Sequence, residues 1–366
     1  MKAKVSTSEA VVKIPIEMKG NLPFVAVEIG GKTYNFLFDT GAGTVITPQL
    51  FQELHLSEKG KMQITDSQSN KSTETIALIP ELKLGSLVCK NVGCMVVDFK
   101  PAVFQCLKID GIIGTNLMQH LFWKVNYREK YIEATDKLSL FKPEEFTIKW
   151  DFVRTKQKRP ILISSLYDQK IGILFDTGAS SYINISKKWV EQHKDSIKSE
   201  KITFKGKKAT GIYGVNQTDS LIQLFKPERF KFSEYSLSGQ PIATSSSSLI
   251  GNDFLEHYVF ILDWKNQKIH LKELEKPRER LRFPFGFTYV DGKFVVMSVL
   301  QTENQPLQVG DIITSINGQK LSELSEDERC MILTTHYDSD SIRIEIVRGD
   351  QILPFEFERK DFFKAE

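Results

Sequence analysis

The tripeptide Asp-Thr-Gly occurs twice in the chain, at Asp39 and at Asp176, each time after an apolar run and before an alanine. Residue frequencies of roughly 5 to 7% predict a given tripeptide about 0.1 times in a chain of 366 residues, so two copies need a cause. Two carboxyl groups held close together cannot both ionise easily and share one proton. One then acts as general base and the other as general acid on a single water, which hydrolyses an amide without a covalent intermediate.

The residues that follow each aspartate suit a rigid turn. Gly41 and Gly178 allow the backbone to approach another group closely, and the hydroxyls of Thr40 and Thr177 can hydrogen-bond across to an opposing turn. We predict that these four residues support the two carboxyl groups.

The repeat extends well beyond the tripeptide. Asp39 and Asp176 are 176 − 39 = 137 positions apart, and the same offset places Gly114 on Gly251. These two glycines end the apolar steps "IIG" and "LIG", which suit a strand that passes directly behind each turn. Around them, each unit has the alternation and turn residues of strands and hairpins, with one short helix. Both halves of this region therefore have the same predicted organisation.

The composition limits the classes of function. The chain is 41% apolar and 26% charged, with a net charge of only +3, and its basic residues alternate with acidic ones. We therefore expect no nucleic-acid partner. No apolar run approaches the roughly 18 to 20 residues of a membrane helix, so we expect no membrane span in this chain. The six histidines are scattered and no CxxC motif occurs, so we expect no metal and no cofactor.

Four cysteines are present. Cys89 and Cys94 are close enough in sequence to face each other across a turn, whereas Cys106 and Cys330 have no obvious mate. We expect all four to be small buried hydrophobic residues rather than a disulfide framework.

The pairing of "FDTGA" with a later "IIG" or "LIG", twice in one chain, resembles the aspartic proteases, in particular the retropepsin-like group with both halves fused. The resemblance implies a mainly β, pseudo-two-fold bilobal fold with halves at 14–140 and 150–275. It makes Asp39 and Asp176 the catalytic dyad, acting on a peptide or protein substrate. Because one chain supplies both aspartates, we expect a monomer.

The residue after each Asp-Thr-Gly bears on the working pH. Pepsin-like relatives usually carry a serine there, whose hydroxyl donates to the carboxylate and lowers the pKa of the pair. This chain has Ala42 and Ala179 instead, like retropepsins. We therefore expect activity at mildly acidic to neutral pH.

A flap over the substrate is predicted in the second half, where Tyr213 lies between Gly211 and Gly214 in "ATGIYG". An aromatic side chain there can close over the substrate and exclude water. A packing role for Tyr213 is the alternative, because in the pepsin-like relatives the flap tyrosine belongs to the first half.

After a charged stretch, residues 283–360 contain "VGDIITSING" and resemble the PDZ domain, especially the bacterial kind attached to proteases. In this resemblance Phe285, Gly286 and Phe287 form the loop whose backbone N–H groups bind a C-terminal carboxylate, while the peptide adds as a β-strand. A role only as a spacer or docking piece is the alternative. Each aspartate belongs to a repeat unit that is complete without residues 280–366. We therefore expect deletion of residues 280–366 to spare the hydrolysis of short peptides.

Two classes of function remain open. The favoured interpretation is an aspartic endopeptidase whose PDZ domain recruits a substrate tail or a partner. The alternative is a catalytically silent peptide-binding or PDZ scaffold protein that retains the protease fold. The resemblance to bacterial proteases favours a bacterial periplasm or cell envelope if a leader was removed, and otherwise the cytoplasm.

Overall fold

The computed structural model describes residues 3–65, 71–206, 210–211, 214–215, 220–277, 281–334 and 339–363. It is mainly β, as predicted. The elements up to residue 135, which include the predicted first half, are β1 (Lys4–Ser6), β2 (Val12–Lys19), β3 (Leu22–Ile29), β4 (Lys32–Phe38), β5 (Val45–Ile46), α1 (Pro48–Glu53), β6 (Gly60–Thr65), β7 (Lys71–Leu84), β8 (Leu87–Val96), α2 (Ala102–Cys106), β9 (Gly111–Ile113), α3 (Thr115–Met118), β10 (Phe122–Asn126) and β11 (Tyr131–Thr135).

The second half follows after 3₁₀ turns at Leu138–Phe141 and Pro143–Glu145. Its elements are β12 (Ile148–Arg154), β13 (Pro160–Leu166), β14 (Gln169–Phe175), β15 (Ile183–Ser186), α4 (Lys187–Gln192), a 3₁₀ turn (Lys194–Ser196), β16 (Lys201–Gly206), β17 (Thr210–Gly211), β18 (Gly214–Val215), β19 (Ser220–Phe225), β20 (Phe230–Phe232), β21 (Tyr235–Ser236), β22 (Ile242–Ser245), β23 (Leu249–Ile250), α5 (Asn252–Leu255), β24 (Tyr258–Asp263) and β25 (Lys268–Glu273).

The C-terminal domain contains β26 (Phe285–Val290), β27 (Lys293–Leu300), β28 (Ile312–Ile316), β29 (Gln319–Lys320), a 3₁₀ turn (Leu321–Glu323), α6 (Glu326–Thr334), β30 (Ser341–Arg348) and β31 (Gln351–Glu358). Alternating apolar residues of β27 and β30 point inward and build a core of its own, which includes Phe294, Val296 and Ile344.

The two halves pair their strands in the same way around the repeated tripeptide. In the first half, β3 and β4 form a hairpin, and β4 runs parallel to β9, the strand of the "IIG" step. In the second half, β13 and β14 form a hairpin, and β14 runs parallel to β23 of the "LIG" step. Each Asp-Thr-Gly sequence therefore begins where a central strand ends, beside the strand that leads into the glycine.

One antiparallel sheet joins the halves, in the order β2, β11, β10, β24, β25 and β12. At its centre Lys124 of β10 is paired with Ile261 of β24, and the two residues are 261 − 124 = 137 positions apart. The fully buried indoles of Trp123, Trp150 and Trp264 belong to one core that also includes Phe38 and Phe175, the residues just before the two aspartates. This shared core fixes the two tripeptides relative to each other.

The C-terminal domain is joined to both halves. Strand β27 pairs antiparallel with β16 of the second half, with Lys205 opposite Val299. Helix α6 lies against α2 of the first half. The prediction for the cysteines is therefore wrong in part, because Cys106 of α2 and Cys330 of α6 form a disulfide. Their 224-residue separation hid the pairing, which only the packing of the two helices brings about.

The other two cysteines, Cys89 and Cys94, are free thiols in β8. Both are buried, as expected of small hydrophobic residues. Burial raises the pKa of each thiol to about 12. Within the described residues, none of the helices has the length and apolar character needed to cross a membrane.

Candidate active site

Both predicted catalytic aspartates lie at the carboxyl ends of strands, where the backbone is held from behind. The backbone N–H of Asp39 donates to the carbonyl oxygen of Ile113 at 3.0 Å, and that of Asp176 donates to Ile250 at 3.0 Å. Asp39 is buried, and Asp176 is half-buried. The strands that lead into Gly114 and Gly251 therefore hold the backbone of Asp39 and of Asp176 in place.

The two turns face each other through their threonines. The backbone N–H of Thr40 donates to Oγ1 of Thr177 at 3.0 Å, and the N–H of Thr177 donates to Oγ1 of Thr40 at 3.0 Å. Each hydroxyl in turn donates across the pair, Thr40 to the carbonyl oxygen of Phe175 at 2.6 Å and Thr177 to that of Phe38 at 2.8 Å. Both threonines are fully buried. Four reciprocal hydrogen bonds thus hold the turns at a fixed separation.

The predicted turn glycines lie between the carboxyl groups. The N–H of Gly41 donates to Oδ1 of Asp39 at 2.6 Å, and that of Gly178 donates to Oδ1 of Asp176 at 2.9 Å. A Cβ on Gly41 would fall 2.5 Å from Oδ1 of Asp176, and one on Gly178 would overlap the carboxyl group of Asp39. Only glycine allows each turn to approach the opposite aspartate so closely.

The glycines behind the turns are needed for a similar reason. A Cβ on Gly114 would fall 2.6 Å from the carbonyl oxygen of Ala42, and one on Gly251 would fall 2.5 Å from that of Ala179. These neighbours are backbone atoms of the two turns, which cannot rotate away as a side chain does.

The carboxyl groups of Asp39 and Asp176 lie within hydrogen-bonding reach of each other. Burial raises the pKa of Asp39, and the hydrogen bond from the N–H of Gly41 partly offsets this rise. Burial and then the charge of Asp39 hold the pKa of Asp176 well above its ordinary value. The pair therefore keeps one proton to a higher pH than two separate carboxyl groups would.

Arg159 was not predicted as part of the site. Its positive charge lowers the pKa of both carboxyl groups. The side chain is half-buried, and its Nε is buried without a hydrogen-bond partner among the residues that the structure describes. The offset of 159 − 22 = 137 makes Leu22 its counterpart in the first half, so the charge is present on one side only. This cation opposes the effect of burial on the pair.

Sequence reasoning also missed the residues that follow the two rear glycines. The amide of Asn252 donates to the carbonyl oxygens of Thr177 at 2.8 Å and Asn21 at 2.9 Å, and its Oδ1 accepts from the hydroxyl of Tyr127 at 2.8 Å. Thr115 is the equivalent residue in the first half, and its Oγ1 donates to the backbone carbonyl oxygen of Gln157 in the other half at 2.7 Å. Both side chains tie a turn to the opposite half, and the shared offset of 252 − 115 = 137 was the available signal.

Burial, followed by the charges of Asp176 and Asp39, holds the pKa of Tyr127 well above its ordinary value. Its hydroxyl therefore stays protonated as a donor to Asn252 beside the pair.

The predicted flap is described only in part. Gly211 and Gly214 lie opposite each other in the short pair β17 and β18, while Tyr213 lies outside the described residues. Strands β16 and β19 pair along their whole length and lead into this segment, and we call them the flap stem (Lys201–Gly206 and Ser220–Phe225).

The predicted carboxylate loop of the C-terminal domain lies in strand β26. Phe285 and Gly286 pair with β27, and the register shifts between Gly286 and Phe287. Helix α2 of the first half lies beside both β26 and α6.

Within the described part of the chain, no group of three or more histidine, cysteine, aspartate or glutamate side chains is placed to hold a metal ion.

Comparison with protein families identifies two regions. Residues 25–117 match the family described as aspartyl protease, and residues 275–347 match the PDZ domain. No curated protein matches the chain. The chain therefore carries a domain similar to aspartyl proteases and a C-terminal domain similar to PDZ domains, as the two resemblances implied.

Proposed function

We propose that the protein is an aspartic endopeptidase whose catalytic groups are Asp39 and Asp176. The observation that carries the proposal is the reciprocal bonding of Thr40 and Thr177, which holds two carboxyl groups against each other at the ends of equivalent strands. A single surface aspartate in a turn has no need of such support.

The geometry suits a water held between the two carboxyl groups. In the mechanism that we propose, ionised Asp39 removes a proton from the water as its oxygen attacks the amide carbon. Protonated Asp176 gives its proton to the carbonyl oxygen, which forms a neutral tetrahedral diol. The amide nitrogen then takes the proton held by Asp39, a diol hydroxyl returns its proton to Asp176, and the C–N bond breaks.

In this account the protease region consists of two halves, 14–140 and 150–275, related by a pseudo-two-fold axis. The pairing of Lys124 with Ile261, its equivalent in the other half, supports that relationship. Because one chain supplies both carboxyl groups, the active unit is a monomer. Residues 283–360 form the PDZ domain, and such domains bind peptides.

Cleavage of a mixture of unfolded proteins, measured from acidic to neutral pH with and without pepstatin, tests the proposal. We expect cleavage that pepstatin inhibits. Intact substrate at every pH would favour a silent peptide-binding or scaffold protein, and cleavage unaffected by pepstatin would indicate a different mechanism.

A further inference from the structure

The flap stem of the second half is continuous with the sheet of the C-terminal domain. Strand β16 pairs antiparallel with β27 from Phe204 opposite Leu300 to Gly206 opposite Ser298. The N–H of Gln301 also donates to the carbonyl oxygen of Thr203 at 2.8 Å. The C-terminal domain therefore supplies the neighbouring strand of the flap stem.

Gly206 fits this close approach. Its φ is +126°, and a Cβ there would lie 2.8 Å from Cα of Ser298 and would overlap the carbonyl oxygen of Met297. Because both obstructing atoms belong to the backbone of β27, a larger residue would separate the two strands.

The C-terminal segment packs on the same flap stem. Phe204 of β16 joins Ile222 and Leu224 of β19 in a small apolar cluster, and Phe362 and Phe363 pack against it. The rings of Phe204 and Phe362 meet edge to face with centroids 5.7 Å apart.

A charged contact accompanies this packing. Nζ of Lys226, just after β19, lies 3.7 Å from Oδ1 of Asp361 and 4.6 Å from the ring centre of Phe363. Both charged side chains are mostly buried. Both strands of the flap stem are therefore linked to the C-terminal domain or to the segment that follows it.

On its other side, the C-terminal domain is bonded to the first half. The Cys106–Cys330 disulfide joins α2 to α6, and both cysteines are only half-buried. Lys108, just after α2, lies 3.8 Å from Asp327 of α6, but both side chains are largely exposed, so this pair adds little. The disulfide is thus a covalent restraint between the domain and the first half.

We propose that the C-terminal domain is a redox-dependent support of the flap stem, held in place by the Cys106–Cys330 disulfide. This proposal rests on the proposed function, since it gives the flap stem a role in substrate binding. With the disulfide intact, β27 holds β16 at a set position relative to the first half. When the disulfide is reduced, the domain separates more readily from α2 and the flap stem becomes more mobile.

The reduction requires a dithiol. One of its thiolates attacks Sγ of Cys330, the disulfide bond breaks, and Cys106 leaves as a thiolate that takes a proton. The second thiol of the reductant then attacks the mixed disulfide and releases Cys330 as a thiol. Two electrons and two protons pass to the protein, and the reductant leaves as a cyclic disulfide.

Hydrogen exchange of the full chain, with and without a dithiol reductant, tests the proposal without relying on activity. We expect exchange in Lys201–Gly206 and Ser220–Phe225 to rise by about tenfold or more on reduction. The double variant Cys106→Ser, Cys330→Ser should exchange at the fast rate without reductant, and the reductant should have no further effect on it. This variant is the control for reduction elsewhere in the chain.

Peptide hydrolysis gives the second measurement. The KM for a short peptide should rise on reduction while kcat stays within about twofold, because the carboxyl pair is untouched. The variant Phe363→Ala should raise exchange in the flap stem even in the oxidised protein. Unchanged exchange in the flap stem after reduction would overturn the proposal. Faster exchange without hydrolysis in any form would leave the support standing and count against the proposed function.

Discussion

The backbone N–H of Thr40 donates to the hydroxyl oxygen of Thr177 at 3.0 Å, and the N–H of Thr177 donates to that of Thr40 at the same distance. The two residues are 177 − 40 = 137 positions apart, which is also the offset between the aspartates that precede them. Neither turn can move without breaking a bond to the other. This relationship is the physical reason to treat the two aspartates as one site.

The variant Thr177→Val tests this bonding. It leaves the buried N–H of Thr40 without its acceptor, which should cost about 1 to 3 kcal/mol of unfolding free energy. Displacement of the carboxyl groups should lower turnover by about 10²-fold. Thr177→Ser keeps the hydroxyl and should retain most of the stability and activity. Equal losses in both variants, measured by thermal unfolding and peptide hydrolysis, would show that the hydroxyl bonds are not responsible.

The variant Gly251→Ala tests the strand behind the second turn. Its Cβ would lie 2.5 Å from the carbonyl oxygen of Ala179, so the turn must shift, at a cost of about 1 to 3 kcal/mol. Gly93→Ala is the matched control, because Gly93 has an ordinary φ and open space around its Cα. Thermal unfolding of both variants should show destabilisation by Gly251→Ala alone, and a stable Gly251→Ala protein would contradict the packing argument.

Burial of the carboxyl pair should make Asp176→Asn stabilising at neutral pH. The pKa of Asp176 is higher in the folded protein than in the unfolded chain. The protonated side chain therefore contributes its full stabilisation below the pKa of the unfolded chain, and this stabilisation is lost as the pH rises through the pKa of the folded protein. The neutral amide avoids that loss. The thermal midpoint should rise at about pH 7, by roughly 2 to 4 °C per kcal/mol, and should hardly change at about pH 3.

Asp136→Asn, which changes an exposed aspartate, is the control for that experiment. A rise in the midpoint that is equal at both pH values would contradict the assigned direction of the pKa shift.

The charge of Arg159 should set the basic limb of the pH–rate profile. Because this charge lowers the pKa of both carboxyl groups, Arg159→Gln should let the pair hold its proton longer and move the basic limb to higher pH. Arg159→Lys keeps the charge and should leave the limb nearly in place. The double variant Ala42→Ser, Ala179→Ser adds hydroxyl donors and should move the limb toward acid. A shift in the opposite direction in either experiment would refute the corresponding cause.

Much of the fold could be predicted because it repeats in the sequence. The mainly β fold and the resemblances to aspartyl proteases and PDZ domains are confirmed by the structure and the family comparisons. The offset of 137 positions was visible from Asp39 and Asp176, since identical turns need identical residues.

Features that break the repeat could not be predicted in this way. Arg159 has Leu22 as its counterpart, so no copy drew attention to it. Asn252 and Thr115 occupy equivalent positions with different side chains, so the shared offset alone did not show the bonds that either side chain makes.

Contacts between distant segments were also missed. The Cys106–Cys330 disulfide and the pairing of β16 with β27 depend on how the C-terminal domain docks. No local pattern of residues encodes that docking. On sequence grounds, deletion of residues 280–366 was expected to spare the hydrolysis of short peptides. The pairing of β16 with β27 favours a loss of hydrolysis instead, because the flap stem would lose its neighbouring strand.

Peptide hydrolysis by the single variants Asp39→Asn and Asp176→Asn tests the central claim most directly. The amide is nearly the same size as the carboxyl group but cannot share the proton, so each variant should fold and should lose at least about 10³-fold in turnover. Asp136→Asn should hydrolyse the peptide at the original rate. Near-normal cleavage by either of the first two variants would contradict the assignment of Asp39 and Asp176 as one catalytic pair.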